Sequence, residues 1–150
     1  MARTPTTARP EADASLVAGL RLVVMRLARR LRQQSEGDVT ASRLSALSSI
    51  NRLGPLTLGE LAAVEKVQPP SMTKIVAKLE EQGFVVREPD LADRRVTRVR
   101  VSEEGRTYVA RSRTLKNAYL AERLDRFDAA ERELLARALP LLERLVEDER

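Results

Sequence analysis

Eight basic side chains lie between residues 66 and 100 (Lys66, Lys74, Lys78, Arg87, Arg94, Arg95, Arg98 and Arg100), against five acidic ones, Glu80, Glu81, Glu88, Asp90 and Asp93. From Ala121 onward the balance reverses, to nine acidic residues against six basic. Positive charge is thus gathered on one segment, the electrostatic footprint of a surface that meets a polyanion. Small polar side chains are interleaved with it. Ser71 and Thr73 can donate and accept hydrogen bonds at base edges, and Lys74 and Lys78 suit guanine acceptors or phosphates. Gln68 is placed either to reach a base edge or to cap a helix. Arg94 and Arg95 directly follow Asp93, whose carboxylate can hold one guanidinium in an extended pose. An exposed arginine of this kind can enter a narrow minor groove and meet its negative potential.

Bond-making chemistry has no comparable set of residues. The 150-residue chain contains neither His nor Cys, which removes the commonest general base, the commonest zinc ligand, disulfides and thiol redox sensing. Its glycines, Gly19, Gly37, Gly54, Gly59, Gly83 and Gly105, form no G-x-x-x-x-G-K or G-x-G-x-x-G phosphate loop. The expectation is a protein that is not an enzyme, with no cofactor and no metal site. No apolar run approaches the roughly 18 residues that span a bilayer, and the N-terminus has no apolar signal core. A cytoplasmic protein without a membrane partner is expected.

The elements that must position these residues are mainly helical. Hydrophobic residues make up 43% of the chain but aromatics only 3%, so the core must be built from Leu, Val, Ile and Ala. Residues 1–13 read as a disordered tail. From Ala14 to about Gln34, Leu16, Leu20, Val23, Val24, Leu27 and Leu31 recur at helical spacing, and the Ser-Glu-Gly-Asp stretch at 35–38 ends that helix. Thr40 is placed to cap a second helix that buries Leu44, Leu47 and Ile50 before Gly54-Pro55. Thr57 and Glu60 have capping-box spacing and open a third. Pro69 and Pro70 fit the first turn of a fourth, which buries Met72, Ile75, Val76 and Leu79 and stops at Gly83.

The period then changes to two: Phe84–Glu88 and Arg95–Val101 read as a hairpin around a turn at 89–94, with Arg98 and Arg100 on one strand face, fit for phosphates. Ser102 caps a long helix to about Leu124, and Asp128 with Glu131 caps a last one, in which Pro140 predicts a kink. Short helices followed by a hairpin are the parts of a winged helix–turn–helix.

Within the stretch from Leu56 to Gly105, a series of pieces in fixed order resembles the MarR family of winged helix–turn–helix transcriptional regulators. They are Leu61-Ala62, Val67-x-x-x-Ser71-Met72-Thr73, Leu79-Glu80-x-x-Gly83, Asp93-Arg94-Arg95 and the Val-Ser-Glu-Glu-Gly run at 101–105, which stands for the family's Leu-Thr-x-x-Gly. The flanking helices match the family layout, so the resemblance covers most of residues 14–147. It implies one domain, with a winged helix–turn–helix over 37–102 and helical dimerisation segments over 14–36 and 103–150. The candidate contacts to double-stranded DNA are Gln68, Pro70, Ser71, Thr73, Lys74, Lys78, Arg94, Arg95, Arg98 and Thr57, with Asp93 supporting the wing.

The leucine stripes of the terminal helices exceed what a small core covers, so Leu16, Leu20, Leu27, Leu135, Leu139 and Leu142 are candidates for a homodimer interface. Two-fold symmetry would set two recognition helices about one DNA turn apart, on a palindromic operator.

The resemblance also implies a repressor released by a small aromatic or phenolic anion, bound between the dimer helices and the DNA-binding lobe. Arg26, Arg29 and Arg30 are available to meet it, although a solvated helix surface is the better account of them. Three features depart from the family pattern: Glu65-Lys66 where many such bends carry Gly, Gln68 where Ser, Asp or Thr often caps, and Pro140. Two other readings stay open, an architectural DNA binder without sequence preference and a winged helix used for protein–protein contact.

Overall fold

The computed structural model describes residues 8–34 and 39–147. Its elements follow one another as α1 Ala8–Arg32, α2 Ala41–Leu53, α3 Leu58–Val64, α4 Pro69–Glu81, β1 Val85–Pro89, β2 Thr97–Val101, α5 Glu103–Leu124 and α6 Ala129–Arg144. The order is the one expected, and most boundaries fall where a side chain satisfies the free amides of a first turn. Thr40 Oγ1 accepts from the Arg43 amide. Thr57 and Glu60 cap each other reciprocally, with Thr57 Oγ1 accepting from the Glu60 amide at 3.2 Å and Glu60 Oε2 from the Thr57 amide at 2.8 Å. Asp128 and Glu131 repeat the arrangement at the start of α6. Each such cap contributes about 1 kcal/mol.

Helix α1 corrects one expectation. It begins at Ala8, so residues 8–13 are helical rather than tail, while residues 1–7 lie outside the described residues, as does the 35–38 stretch. Pro10 falls in the first turn of α1, where a missing N–H breaks no helical bond. At the other end of the chain, α6 runs unbroken through Pro140 to Arg144.

The core lies where α2, α3, α4 and the hairpin converge. Leu47, Ile50, Leu61, Met72, Val76, Leu79, Val85 and Val99 are its largest fully buried side chains. The hairpin is antiparallel, with Val85 opposite Val101, Arg87 opposite Val99 and Pro89 opposite Thr97. Leu56 extends it by exchanging backbone bonds with Val99 at 3.1 and 2.7 Å. The wing is thereby tied to the connection that leads into α3.

Both turns around α4 close by the same device. At the end of α4 the Gly83 amide donates to the Glu80 carbonyl and the Phe84 amide to the Leu79 carbonyl, both at 2.9 Å, with Gly83 at φ +76°. At the end of α3 the Lys66 and Val67 amides donate likewise to Ala63 and Ala62. There the left-handed position, φ +53°, is held by Lys66. Glu65 steadies this bend by accepting from Ser45 at 2.6 Å and Ser49 at 2.5 Å, which ties it to α2. A side chain in the left-handed region costs about 1 kcal/mol that glycine avoids. Lys66→Gly is therefore expected to raise the thermal midpoint by about 3 °C; a lower midpoint in a circular-dichroism melt would refute this account of the bend.

The terminal helices are dressed differently. Leu16 is 68% exposed and Leu139 58%; Leu27, Leu135 and Leu142 are also exposed, and Leu20 is half-buried. Helix α6 buries none of its residues. Among the described residues no helix is long and apolar enough to cross a membrane.

Candidate nucleic-acid interface

Helix α4 buries Met72, Val76 and Leu79 against the core and turns the opposite face outward. Gln68, Pro70, Ser71, Thr73, Lys74 and Lys78 are all exposed on it. Pro69 and Pro70 occupy the first two helical positions. Gln68 stands at the N-cap without a side-chain capping bond, so of its two expected roles the cap is the one not taken. Its amide is left on the surface at the helix N-terminus, where exposed backbone N–H groups favour phosphate. The Thr73 hydroxyl donates to the Pro69 carbonyl at 3.0 Å, which leaves its oxygen to accept. Lys78 pairs with Glu81 in the open, an exposed contact of little energetic weight.

The wing projects beside this helix. Asp93 grips Arg95 with both carboxylate oxygens, Oδ1 accepting from Nε and Oδ2 from Nη2, each at 3.0 Å. Oδ1 also accepts from the Arg95 amide at 3.1 Å. The Arg95 guanidinium bonds and the backbone amide hold the Asp93 carboxyl below its ordinary value. The Arg95 side chain is nevertheless 91% exposed, so it is held in position yet remains open to a ligand. Arg94 beside it is exposed as well.

Arg98 departs from the expectation that it meets phosphate. Its guanidinium is bonded to Asp90, to Glu60 Oε2 at 3.1 Å and to the Pro55 carbonyl at 3.3 Å. With three acceptors around it, this cation braces the wing to the start of α3. Arg100, read as a second phosphate contact, pairs with Glu88 at 3.0 Å and donates to the Val101 carbonyl. Thr57, also named for DNA, is half-buried and uses its hydroxyl oxygen as the α3 cap.

This architecture has counterparts among known proteins. The MarR family model matches residues 39–97, from two residues before α2 to the first residue of β2. An HTH-type transcriptional regulator of Mycobacterium tuberculosis is 42% identical over 139 residues, 92% of this chain and 97% of the relative. The chain belongs to the MarR family.

Solved structures agree with that assignment. A Pseudomonas aeruginosa protein classed among transcriptional regulators superposes with a TM-score of 0.84 at 38% identity, covering 97% of this chain and 100% of the other. A MarR family protein of Bacillus stearothermophilus gives 0.81 at 26% identity, covering 93% and 99%. This MarR chain is thus a transcriptional regulator with a DNA-binding helix–turn–helix.

The sequence reading missed two features of the MarR chain. One is the brace itself. Asp90 accepts from the amides of Ala92 and Asp93 at 2.8 and 3.0 Å as well as from Arg98. The Arg98 bond, followed by those two amides, lowers the Asp90 carboxyl from 3.8 to about 2. A carboxylate whose folded value is depressed stabilises the fold at any pH above its unfolded value. That contribution fades as pH falls from about 3.8 through about 2. In a carbon-detected NMR titration Asp90 should have its midpoint near 2, moving up toward 3.8 in Arg98→Met; a wild-type midpoint already near 3.8 would remove the brace.

The other is a cavity of about 340 Å³ among α1, α2 and α5, lined by Leu31, Leu44, Val109, Arg113, Lys116 and Leu120 among others. Its cations are Arg113 and Lys116, and burial pushes the Lys116 ammonium below its ordinary range. Arg26, Arg29 and Arg30, named for an anion, line a separate depression on α1 with Gln33.

Proposed function

We propose that this chain binds double-stranded DNA sequence-specifically as a homodimer on a palindromic operator, and represses by occupying it in the cytoplasm. The observation that carries this reading is the pairing of an exposed polar face on α4 with an arginine clamped on the adjacent wing. The helix presents donors and acceptors to major-groove base edges through Ser71, Thr73, Lys74 and Gln68. Arg95, oriented by Asp93, enters the flanking minor groove, where its charge meets the strongest negative potential. Arg94 and Lys78 add phosphate contacts, and Arg98 acts through the position of the wing.

The dimer is supported by the exposed leucines of α1 and α6. Leu16, Leu27, Leu135, Leu139 and Leu142 face solvent in one copy, and apolar surface of that extent marks an association site. Release by a small aromatic or phenolic anion is supported by the cavity against α5. At about 340 Å³ it has room for a small ring compound, and Arg113 and Lys116 supply cations beside an apolar wall.

An anisotropy titration of the purified protein against the DNA upstream of its own coding sequence tests this, with a scrambled duplex as control and two salt concentrations. Tight, sequence-dependent and salt-sensitive binding by two protomers per site is expected. Equal binding to both duplexes would favour an architectural role, and no binding to either would favour protein–protein contact.

A further inference from the structure

The tip of the wing carries a large apolar side chain with nothing to pack against. Leu91 is 103% exposed, the most exposed large hydrophobic residue among the described residues. It does not belong to the leucine stripes of α1 and α6, since it sits between Asp90 and Ala92, in the turn that also carries Arg94 and Arg95. A single exposed leucine is ordinary on a protein surface; what sets Leu91 apart is its place in the short turn that also presents Arg94 and the clamped Arg95.

The turn that presents Leu91 is closed from several sides. The Asp90 amide donates to the Val96 carbonyl at 2.8 Å and the Val96 amide to the Asp93 carbonyl at 2.9 Å. The Asp90 carboxylate, just before Leu91, accepts from the amides of Ala92 and Asp93, just after it, and from Arg98. Leu91 is therefore held out at a fixed place relative to Arg95, so contact does not require the turn to be ordered first.

We propose that Leu91 is an apolar contact residue for the minor groove, packing against the deoxyribose walls of the groove that Arg95 enters. The inference rests on the reading that the wing meets DNA. Charge complementarity selects the partner, because Arg94 and Arg95, three and four residues further along the same turn, favour an anionic surface. Minor-groove readers place apolar side chains in the groove beside their cations, and the deoxyribose faces that wall the groove offer a leucine an apolar surface. A phosphate contact and a leucine contact differ in one measurable respect. Neutralising phosphate releases counterions and steepens the salt dependence, whereas burying a leucine releases none.

The experiment uses the full chain and a short duplex from its own upstream DNA, with affinity measured over a range of salt concentrations for wild type, Leu91→Ser, Leu91→Met and Arg95→Ala. Leu91→Ser is expected to bind about tenfold more weakly, from partial loss of leucine burial, with the slope of log affinity against log salt unchanged. Leu91→Met should bind as wild type, and the thermal midpoint of both Leu91 variants should not move, because the side chain touches nothing in the free protein. Unchanged affinity in Leu91→Ser while Arg95→Ala weakens binding overturns the leucine contact and leaves the DNA-binding reading standing. Unchanged affinity in both variants takes the wing off the DNA and overturns the leucine contact with it. A shallower salt slope in Leu91→Ser also overturns it, since the serine would then be displacing the arginines.

Discussion

Gly105→Ala is expected to cost the fold about 3 kcal/mol or more, the largest steric penalty for alanine at any glycine among the described residues. Gly105 lies in the first turn of α5, two residues after that helix begins. A Cβ there would stand 2.1 Å from the Phe84 carbonyl oxygen, 2.8 Å from Val101 Cγ2 and 3.0 Å from the Phe84 carbonyl carbon. The nearest of these is backbone, so no rotamer change relieves it.

Nor is that carbonyl free to retreat. It accepts from the Ser102 amide at 3.0 Å, while Ser102 Oγ accepts from the Gly105 amide at 3.0 Å and donates to the Gly83 carbonyl at 2.6 Å. Moving α5 away would loosen these bonds together, at about 1 kcal/mol for each one lost. Alanine's helical advantage of about 1 kcal/mol over glycine does not offset that. Thermal melts should show a fall of about 10 °C. Gly59→Ala supplies the control: its Cβ would meet only Thr57 Oγ1, at 4.0 Å, so it should melt at or slightly above wild type. Equal melting of Gly105→Ala and wild type would mean that α5 and Phe84 do not approach so closely.

What could be read in the chain beforehand divides along the distance between partners. The caps at Thr40, Thr57, Ser102 and Asp128 join residues three apart, and a residue type at a fixed offset reveals them. Gly83 was legible for a similar reason, since glycine advertises a positive φ. Lys66 adopts the same conformation without any such sign, and only the recurrence of the terminating bond pattern identifies it.

Arg98 shows the limit most clearly. Alternation along β2 placed it correctly on the strand face away from the core. Its acceptors, however, lie eight residues back on Asp90 and thirty-eight back on Glu60, and only the folded hairpin joins them. A braced arginine and a phosphate-binding arginine look alike in a strand pattern, and only the folded partners reveal the brace. The cavity escaped for the same reason, as its walls come from three helices. A local trace of it did exist: Ser112, Arg113, Lys116, Asn117 and Leu120 recur at helical spacing on one face of α5, a largely polar stripe ending in a leucine.

The division between Arg98 and Arg95 has a functional consequence. Both are wing arginines held by an aspartate, yet Arg98 is enclosed by acceptors from two further segments, whereas Arg95 is bound on one side only and open on the other. The Asp93 clamp, three bonds from one carboxylate, reduces the conformational freedom that Arg95 would lose on binding. A fork so positioned is suited to inserting into a groove, and its removal should be felt there.

Arg95→Ala is accordingly expected to weaken operator binding by about a hundredfold or more, since each charged hydrogen-bonding group contributes about 1.5–3 kcal/mol and a dimer loses two. The slope of log affinity against log salt should fall by about two, close to one counterion for each wing. The loss should be greatest where the flanks are AT-rich, because narrow A-tract grooves hold the strongest negative potential. Asp93→Asn should reproduce part of the affinity loss with the salt slope nearly intact, since the cation remains but its orientation is less constrained. If Arg95→Ala weakened binding equally on AT-rich and GC-rich flanks, Arg95 would be bound to outer phosphates, and its clamp would serve only to shape the turn.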